Sequence, residues 1–471
     1  MPATPHQPAV AAAHVLTGRI AGEVLLPGSE AFAAAAQPWN TAIRQHPALI
    51  VRPATASDVA HAVVAARDHQ LQVAVMATGH GVARPADDCL LVDLSPLTDV
   101  TVDAEARTAT IGGGTTWGPV LEAAQRHGLA PLLGSSPGVG AVGYTLGGGL
   151  GWLARKHGPS VDRVRRLEVV TADGAVVEAS PTSHPDLFWA LRGGGGAFGI
   201  VTAMEIDLVE VTTVYAGNLL YPAAMAHDVL RRWAAWVPDL PDELTTSVVL
   251  MNFPPFDEVP APLRGQSFAM VRGCWCGDPA EGKPWIDAWR AWAEPAMDLF
   301  GPMPFAESAA ISNDPLDPTP AASTTEWLRE LSDEVVDVLV RGSFGGDGPP
   351  PVVLSEVRHV GGVVATAPAD AGAYGHRDAE LLLFVLAAVP EPDAARHVEA
   401  HLRGLRAQLE PWVTGGAYVN FTEGAARRDR TRQAFADDAW DRLRRVKAAY
   451  DPDEVFQHAL DIPPAPPCAT G

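Results

Sequence analysis

Between Ser135 and Gly151 the chain reads SSPGVGAVGYTLGGGLG, seven glycines in 17 residues. Glycine loses more chain entropy on folding than any other residue, so such a density persists where close approach of the backbone offsets that loss. Successive backbone N–H groups in a loop of this kind suit an anionic group such as a pyrophosphate. Upstream, the apolar strand LQVAVMA leads into the turn Thr78-Gly79-His80. A lone histidine beside such a cradle points to a bound cofactor with a reactive handle, and His80 is the candidate to react with it.

Two nucleotide-site patterns are present and misplaced. Gly138, Gly140 and Gly143 match the G-x-G-x-x-G of dinucleotide-binding sheets, and Asp162 follows at about the ribose-binding distance. That fingerprint leaves a hydrophobic strand and opens a helix, whereas here Ser135-Ser136-Pro137 precedes it and further glycines follow, so an extended Gly-rich loop is the better reading. GGGTTWG (Gly112 to Gly118) lacks the Lys-Ser/Thr of a phosphate-binding P-loop.

At 471 residues the chain is long enough for two domains, and its 47% hydrophobic and 19% charged residues are an ordinary globular balance. A net charge of −22 disfavours nucleic acid and anionic membranes as partners. The three lysines, with arginine carrying nearly all the positive charge, suit a GC-rich bacterial genome. No basic start followed by an apolar core opens the chain, and the apolar run Leu381 to Val389 is far short of a membrane span, so a soluble, cytoplasmic protein is expected. Cys274 and Cys276 read as two faces of a strand, Cys89 as core and Cys468 as part of a Pro-rich tail; no metal site follows.

Strand and helix alternate from residue 48 to about 212. Ser57-Asp58 is a helix N-cap candidate, and Gly128 closes the helix GPVLEAAQRHG. From about residue 213 helices are expected over Ala226–Val237, Glu281–Met297 and Thr324–Val340, and strands over Thr245–Phe253, Ser267–Cys276 and Leu381–Val389. The fold class is α+β in two domains, one from 1–212 completed by 413–471, the other from 213–412. WDRLRRVK (Trp440 to Lys447) reads as an exposed basic helix face.

PALIVRPATASDVAHAVVAARDHQLQVAVMATGH, GSSPGVGAVGYTLGGGLGWLARKHG, LEVVTADG, DLFWALRGGGGAFGIVTAMEIDL and the C-terminal YVNF and LRRVKAAYDPDEVF follow one another in that order. Together they resemble the berberine bridge enzyme-like oxidases of the vanillyl-alcohol oxidase superfamily, with its PCMH-type FAD-binding domain, over roughly residues 43–212 and 412–462. The resemblance implies that 1–212 and 413–471 bind FAD and that 213–412 lays an antiparallel sheet over the flavin as the substrate domain. It implies that His80, flanked by Gly79 and Gly81, bonds to the flavin 8α-methyl. Ser136 stands where many relatives carry a second linking cysteine, so a single covalent link is expected, because a serine alkoxide is far harder to form than a thiolate. Ser135, Val139, Gly140, Gly143, Tyr144, Gly148, Gly149 and Gly151 fall on the flavin-binding loop, Ile200 and Val201 on the adenosine half, and Asn420 by the flavin or its loop. Valine at 139 accompanies oxidases in the family.

The resemblance makes Tyr418 the catalytic base and Tyr374 its companion. The family's second tyrosine is Phe421 here. Other departures are Met76 in place of an arginine, Tyr144 in place of a histidine, and Glu454 in place of an asparagine. The expected activity is FAD-dependent oxidation of a small organic molecule (alcohol, sugar, polyketide or alkaloid), with hydride passing to the flavin N5 and then to O2, giving peroxide, in secondary metabolism. The alternatives are a dehydrogenase or oxygenase on the same scaffold, or a redox-silent cyclase or flavin-binding protein.

Overall fold

The computed structural model describes residues 7–345, 351–389, 391 and 393–467. Cys468 lies outside them. Three sheets carry the architecture. In the first, of four strands, Leu49–Arg52, Leu90–Asp93 and Val73–Met76 run parallel, and Glu23–Leu25 adds an antiparallel edge. Their Leu/Ile/Val runs are buried, Val75 at the sheet's outer strand excepted, as parallel strands require. The helix Ala56–Asp68 packs against this sheet. Its N-cap is Thr55, whose hydroxyl accepts from the Asp58 N–H at 3.2 Å, rather than Ser57-Asp58. The Asp58 carboxylate instead accepts the backbone N–H groups of Ala21, Gly22 and Ala54.

A second, antiparallel sheet has the order Val100–Asp103, Thr108–Gly112, Ile200–Asp207, Val164–Val170, Val176–Ala179. The Gly-rich run docks beside it, through Ala141 N–H to the Thr115 carbonyl (2.8 Å) and Trp117 N–H to the Val139 carbonyl (3.1 Å). The run is not extended throughout. Ala141–Leu146 forms a short helix, because Ala141, Val142, Thr145 and Leu146 make one apolar face that packs into the core around Trp117.

The third sheet is eight-stranded. Its order is Met297–Asp298, Thr213–Pro222, Ser267–Trp275, Leu244–Asn252, Val352–His359, Leu381–Ala388, Ala321–Leu328, with Gly301–Pro304 also paired to Thr213–Pro222. One face packs on the helices Ala226–Trp236, Pro279–Trp292, Asp333–Phe344 and Ala394–Leu409 through Trp233, Trp289, Val335, Leu339 and Leu402. Two sequence expectations are corrected here. Residues 324–328 are strand, and the helix begins only at Asp333 after Ser332. The β-branched Thr324-Thr325 and a full ladder to Leu381–Ala388 outweigh the local helical pattern. The second helix stops at Trp292, because Met297–Asp298 pairs with Leu219 and Leu220. Among the described residues no helix is long and apolar enough to cross a membrane.

The closing helix Asp437–Tyr450 leads to Asp451, a fully buried carboxylate that accepts from the backbone N–H groups of Val455 and Phe456. The turn between them puts Glu454 at φ +53°. Asparagine enters that left-handed region readily and glutamate does not, which gives the departure at 454 a physical meaning. Replacing Glu454→Asn should raise the unfolding free energy by about 0.5–1 kcal/mol in urea titrations; an unchanged midpoint would show that the turn carries no strain.

Candidate active site

The Gly-rich run and the segment Ala417–Phe421 meet face to face. Asn420 donates its amide N–H groups to the Tyr144 carbonyl (2.9 Å) and the Tyr418 phenol oxygen (3.2 Å). A Cβ on Gly147 would stand 2.0 Å from Asn420 Oδ1, and one on Gly148 would stand 2.6 Å from the Tyr374 ring. Only bare backbone allows this approach. Gly148 and Gly149 also take positive φ (+121° and +80°), which turns two backbone N–H groups onto one atom. Gly149 N–H (3.2 Å) and Leu150 N–H (3.1 Å) both donate to the Tyr418 oxygen.

Three N–H donors therefore converge on a single phenol oxygen. Among the described residues, no acceptor takes the proton of that hydroxyl. Such an arrangement lessens the penalty on the phenolate, although burial outweighs it and the phenol stays above its ordinary value. Burial pushes the Tyr418 phenol up, while the Asn420 amide, the two backbone N–H groups and the charge of Arg358 pull it back. Tyr374 stands edge-on to Tyr418 with centroids 6.5 Å apart, and its buried hydroxyl has no partner. The Arg377 guanidinium lies 5.1 Å from its ring and forms a bidentate pair with Asp162. Phe421 lies between Tyr418 (5.1 Å, T-shaped) and Phe384 (4.4 Å).

The His80 turn is built separately and touches the same run. A Cβ on Gly140 would contact Ala77 and Thr78 at 3.6 Å. Gly79, at φ +76°, faces the Pro38 backbone where a Cβ would meet it at 2.6 Å. The His80 ring stacks on Trp39 with centroids 4.3 Å apart, and its Nδ1 lies 2.8 Å from Thr78 Oγ1. Burial pushes its imidazole down to about 4, so it is neutral at physiological pH. Arg427 donates to the Gly81 carbonyl at 2.7 Å. Glu423, one helical turn before Arg427, is pushed up to about 7 by burial and accepts from the Asn40 amide at 2.7 Å.

Other candidates fall into place less directly. Ser136 Oγ accepts from Gly138 N–H at 3.3 Å, a turn contact. Ser135, Leu150 and Gly151 line one cavity together with Arg358. Tyr144 points into the run's own core, edge-on to Trp117 and against Gly134, Gly149 and Gly151, its hydroxyl buried and unpartnered. Gly143 is exposed, and Val139 is half-buried with its carbonyl taken by Trp117. Ile200 and Val201 are buried in strand pairing with Val170 and Val169.

Sequence reasoning missed Trp39, Glu423, Arg427 and Lys447. The last lay in a helix read as an exposed basic face. Lys447 is 2% exposed, pairs with Asp451, and donates to the Ala197 carbonyl of the loop after Gly193–Gly196 at 2.7 Å. Its place four residues before the aspartate was the available signal. Glycine-walled backbone, two orphaned buried phenols and a neutral histidine at one rim suit a flat heteroaromatic cofactor with polar edges and a diphosphate tail.

Comparison with known proteins decides which one. The chain matches the family described as FAD binding domain over residues 47–180 and the family described as berberine and berberine like over residues 417–463. The chain thus carries an FAD-binding domain and a berberine-like segment, and its relatives include FAD-linked oxidoreductases. It is similar to xylooligosaccharide oxidase of Thermothelomyces thermophilus, 28% identical over 91% of this chain and 90% of that one. It is 34% identical to (R)-6-hydroxynicotine oxidase of Paenarthrobacter nicotinovorans over 50% of this chain and 49% of that one. The solved xylooligosaccharide oxidase of Myceliophthora thermophila C1 superposes with a TM-score of 0.84 at 24% identity, covering 97% of this chain and all of that one. Glucooligosaccharide oxidase from Acremonium strictum, described with a 6-S-cysteinyl, 8α-N1-histidyl FAD, gives 0.82 at 22% over 97% and 99%. The fold is the PCMH-type FAD-binding fold, and the protein is an FAD-dependent oxidoreductase.

Replacing Lys447→Met strands the buried Asp451 charge and should cost about 3–5 kcal/mol in urea unfolding. The double change with Asp451→Asn should recover part of that loss, and a single change within about 0.5 kcal/mol of wild type would count against the pair as a structural lock.

Proposed function

We propose that this protein is an FAD-dependent oxidase of a small organic substrate with an oxidisable hydroxyl, in which Tyr418 takes the hydroxyl proton. The observation that carries this reading is the convergence of the Gly149, Leu150 and Asn420 N–H groups on the Tyr418 oxygen. Bound FAD supplies the redox step, accepting hydride at N5 and returning the electrons to O2 as peroxide. Around that step the chain positions and moves a proton. The three donors offset part of the cost of charging the buried Tyr418 as it accepts the substrate proton at Oη, and Asn420 keeps the phenol against the Gly-rich run. Tyr374, with its unpartnered hydroxyl, donates to the substrate oxygen and orients it. The oligosaccharide and hydroxynicotine oxidases among the relatives support an oxidase over a dehydrogenase or a redox-silent protein, and Val139 is in keeping with it.

His80 supplies the ring nitrogen for a single covalent attachment, and Trp39 and Thr78 set its orientation. Ser136, held in a turn, is no second tether. Gly79, Gly81, Ser135, Gly140, Gly143, Tyr144, Gly148, Gly149 and Gly151 form the flavin cradle, and Ile200 and Val201 back the adenosine half.

Acid precipitation of the yellow protein should leave colour in the pellet for wild type and in the supernatant for His80→Ala; colour washing out of both removes the tether. Because burial holds the His80 imidazole down at about 4, its neutral form persists on acidification, and flavin attachment should keep its rate from about pH 8 to about pH 5 and fall only near its titration. Replacing Tyr418→Phe should slow flavin bleaching by an oxidisable alcohol by about 10²–10⁴-fold while leaving the flavin content intact. Bleaching at the wild-type rate would exclude Tyr418 as base.

A further inference from the structure

The register of the eight-stranded sheet orders the side chains of the face away from its helices into rows. One row reads Asn218, Arg272, Ser247, Arg358, Leu382, Trp327 across six strands. The next, two residues further along each strand, reads Leu220, Met270, Val249, Glu356, Phe384, Thr325. Beyond it come Phe268, Met251, Leu354 and Leu386. The first row ends at Trp327, whose ring packs edge-on to Tyr418 with centroids 6.2 Å apart. A polar, charged strip thus borders the tyrosines, and an apolar wall continues from it.

The charges in the strip do not balance. Arg358 donates to Glu356 Oε2 at 2.8 Å, and Arg272 Nη1 stands 3.7 Å from Glu356 Oε1. The single carboxylate is shared by two guanidinium groups, and the Ser247 hydroxyl donates to it at 2.7 Å. Glu356 and Arg272 are buried, at 1% and 3% exposure, and Arg272 completes its contacts with Asn218 Oδ1 and the Ser312 carbonyl. The charge of Asp314 also acts on Arg358, but among the described residues the two form no ion pair within 4.0 Å. Burying unbalanced charge in a sheet otherwise built of Leu, Met, Val and Phe is costly, and packing alone would be served by apolar residues. Arg358 is the member that reaches out. Its guanidinium lies 4.7 Å from the Phe421 ring, one ring away from Tyr418, and it lines the cavity shared with Ser135, Leu150 and Gly151.

We propose that Arg358, steadied by Glu356 and backed by Arg272, seats a carboxylate of the substrate, so that the substrate class is an acid with an apolar or aromatic body and an oxidisable hydroxyl. This rests on the oxidase reading above and deepens it. A planar carboxylate accepts two parallel N–H bonds from a guanidinium. Phe421 beneath the Arg358 guanidinium and Phe384 packed against that ring are only partly buried and offer the body an apolar face, and the one-ring spacing between Arg358 and Tyr418 leaves the hydroxyl at the base.

The test is calorimetric and spectral titration of the FAD-loaded protein with benzoate and naphthoate against benzamide and naphthamide. The acids should bind about tenfold or more tightly than the isosteric amides, as charge-assisted hydrogen bonds allow. Arg358→Gln should abolish that ratio without lowering amide binding, and Arg358→Lys should keep part of it. Flavin content per chain, measured on the same samples, verifies that each variant is folded and loaded. Equal binding of acid and amide, no binding of either acid, or an unchanged ratio in Arg358→Gln overturns the carboxylate seat while leaving the oxidase reading intact. A wild-type protein that takes up no FAD overturns both.

Discussion

Asn420 and Gly147 contend for one small volume, and the site is built on the outcome. With no Cβ at 147 the Asn420 amide enters, reaches the Tyr144 carbonyl and the Tyr418 oxygen, and pins the C-terminal segment onto the Gly-rich run. Gly148 and Gly149 then turn their neighbours' N–H groups toward the same phenol, and Tyr374 packs where a side chain at 148 would have stood. The run's entropic cost is thus matched by contacts that only glycine permits. An alanine at 147 would displace Asn420, and with it one of three donors to the Tyr418 oxygen.

Polar side chains buried between the sheets fix how the units sit. The Arg155 guanidinium, in the helix after the Gly-rich run, donates to the carbonyls of Leu240, Leu244 and Val360 in and beside the eight-stranded sheet. Lys156 reaches the Cys276 carbonyl, and Arg430 reaches the Thr325 carbonyl and Glu326. Backbone carbonyls at strand ends have fixed directions, so these bonds set geometry more sharply than apolar contact would. Removing any one guanidinium leaves several buried acceptors unpaired.

Much of the fold was legible because its signals are local. The Leu-Ile-Val and Leu-Leu-Val strands, the Gly128 helix stop and the glycine run all carry their structural meaning within a few residues. The segment 324–328 was not legible, because its strand character comes from pairing with Leu381–Ala388, more than fifty residues away. Tyr418, Tyr374 and Asn420 were reached through resemblance to a family, whereas His80 stood out by its turn beside the glycine run. The composition and spacing of those three alone did not single them out. Lys447 was misread since basic residues on a helix usually face water, and only the buried Asp451 one turn on overrides that rule. Arg272, Glu356 and Arg358 lie on separate strands, and their neighbourhood exists only once the register is known.

Trp39 links two ends of the molecule. Its face carries the His80 ring, while its indole N–H donates to the Leu316 carbonyl at 3.0 Å, and its own carbonyl accepts from Thr319 N–H at 3.0 Å. Asn40 continues the contact into Ala321, the first residue of the edge strand of the eight-stranded sheet. His80 therefore rests on a residue that is stitched to the eight-stranded sheet. Swinging that sheet away would unstack the ring from its support. The short surface stretch around Leu316, which also borders Gly138, thereby ties the His80 turn, the Gly-rich run and the eight-stranded sheet to one another.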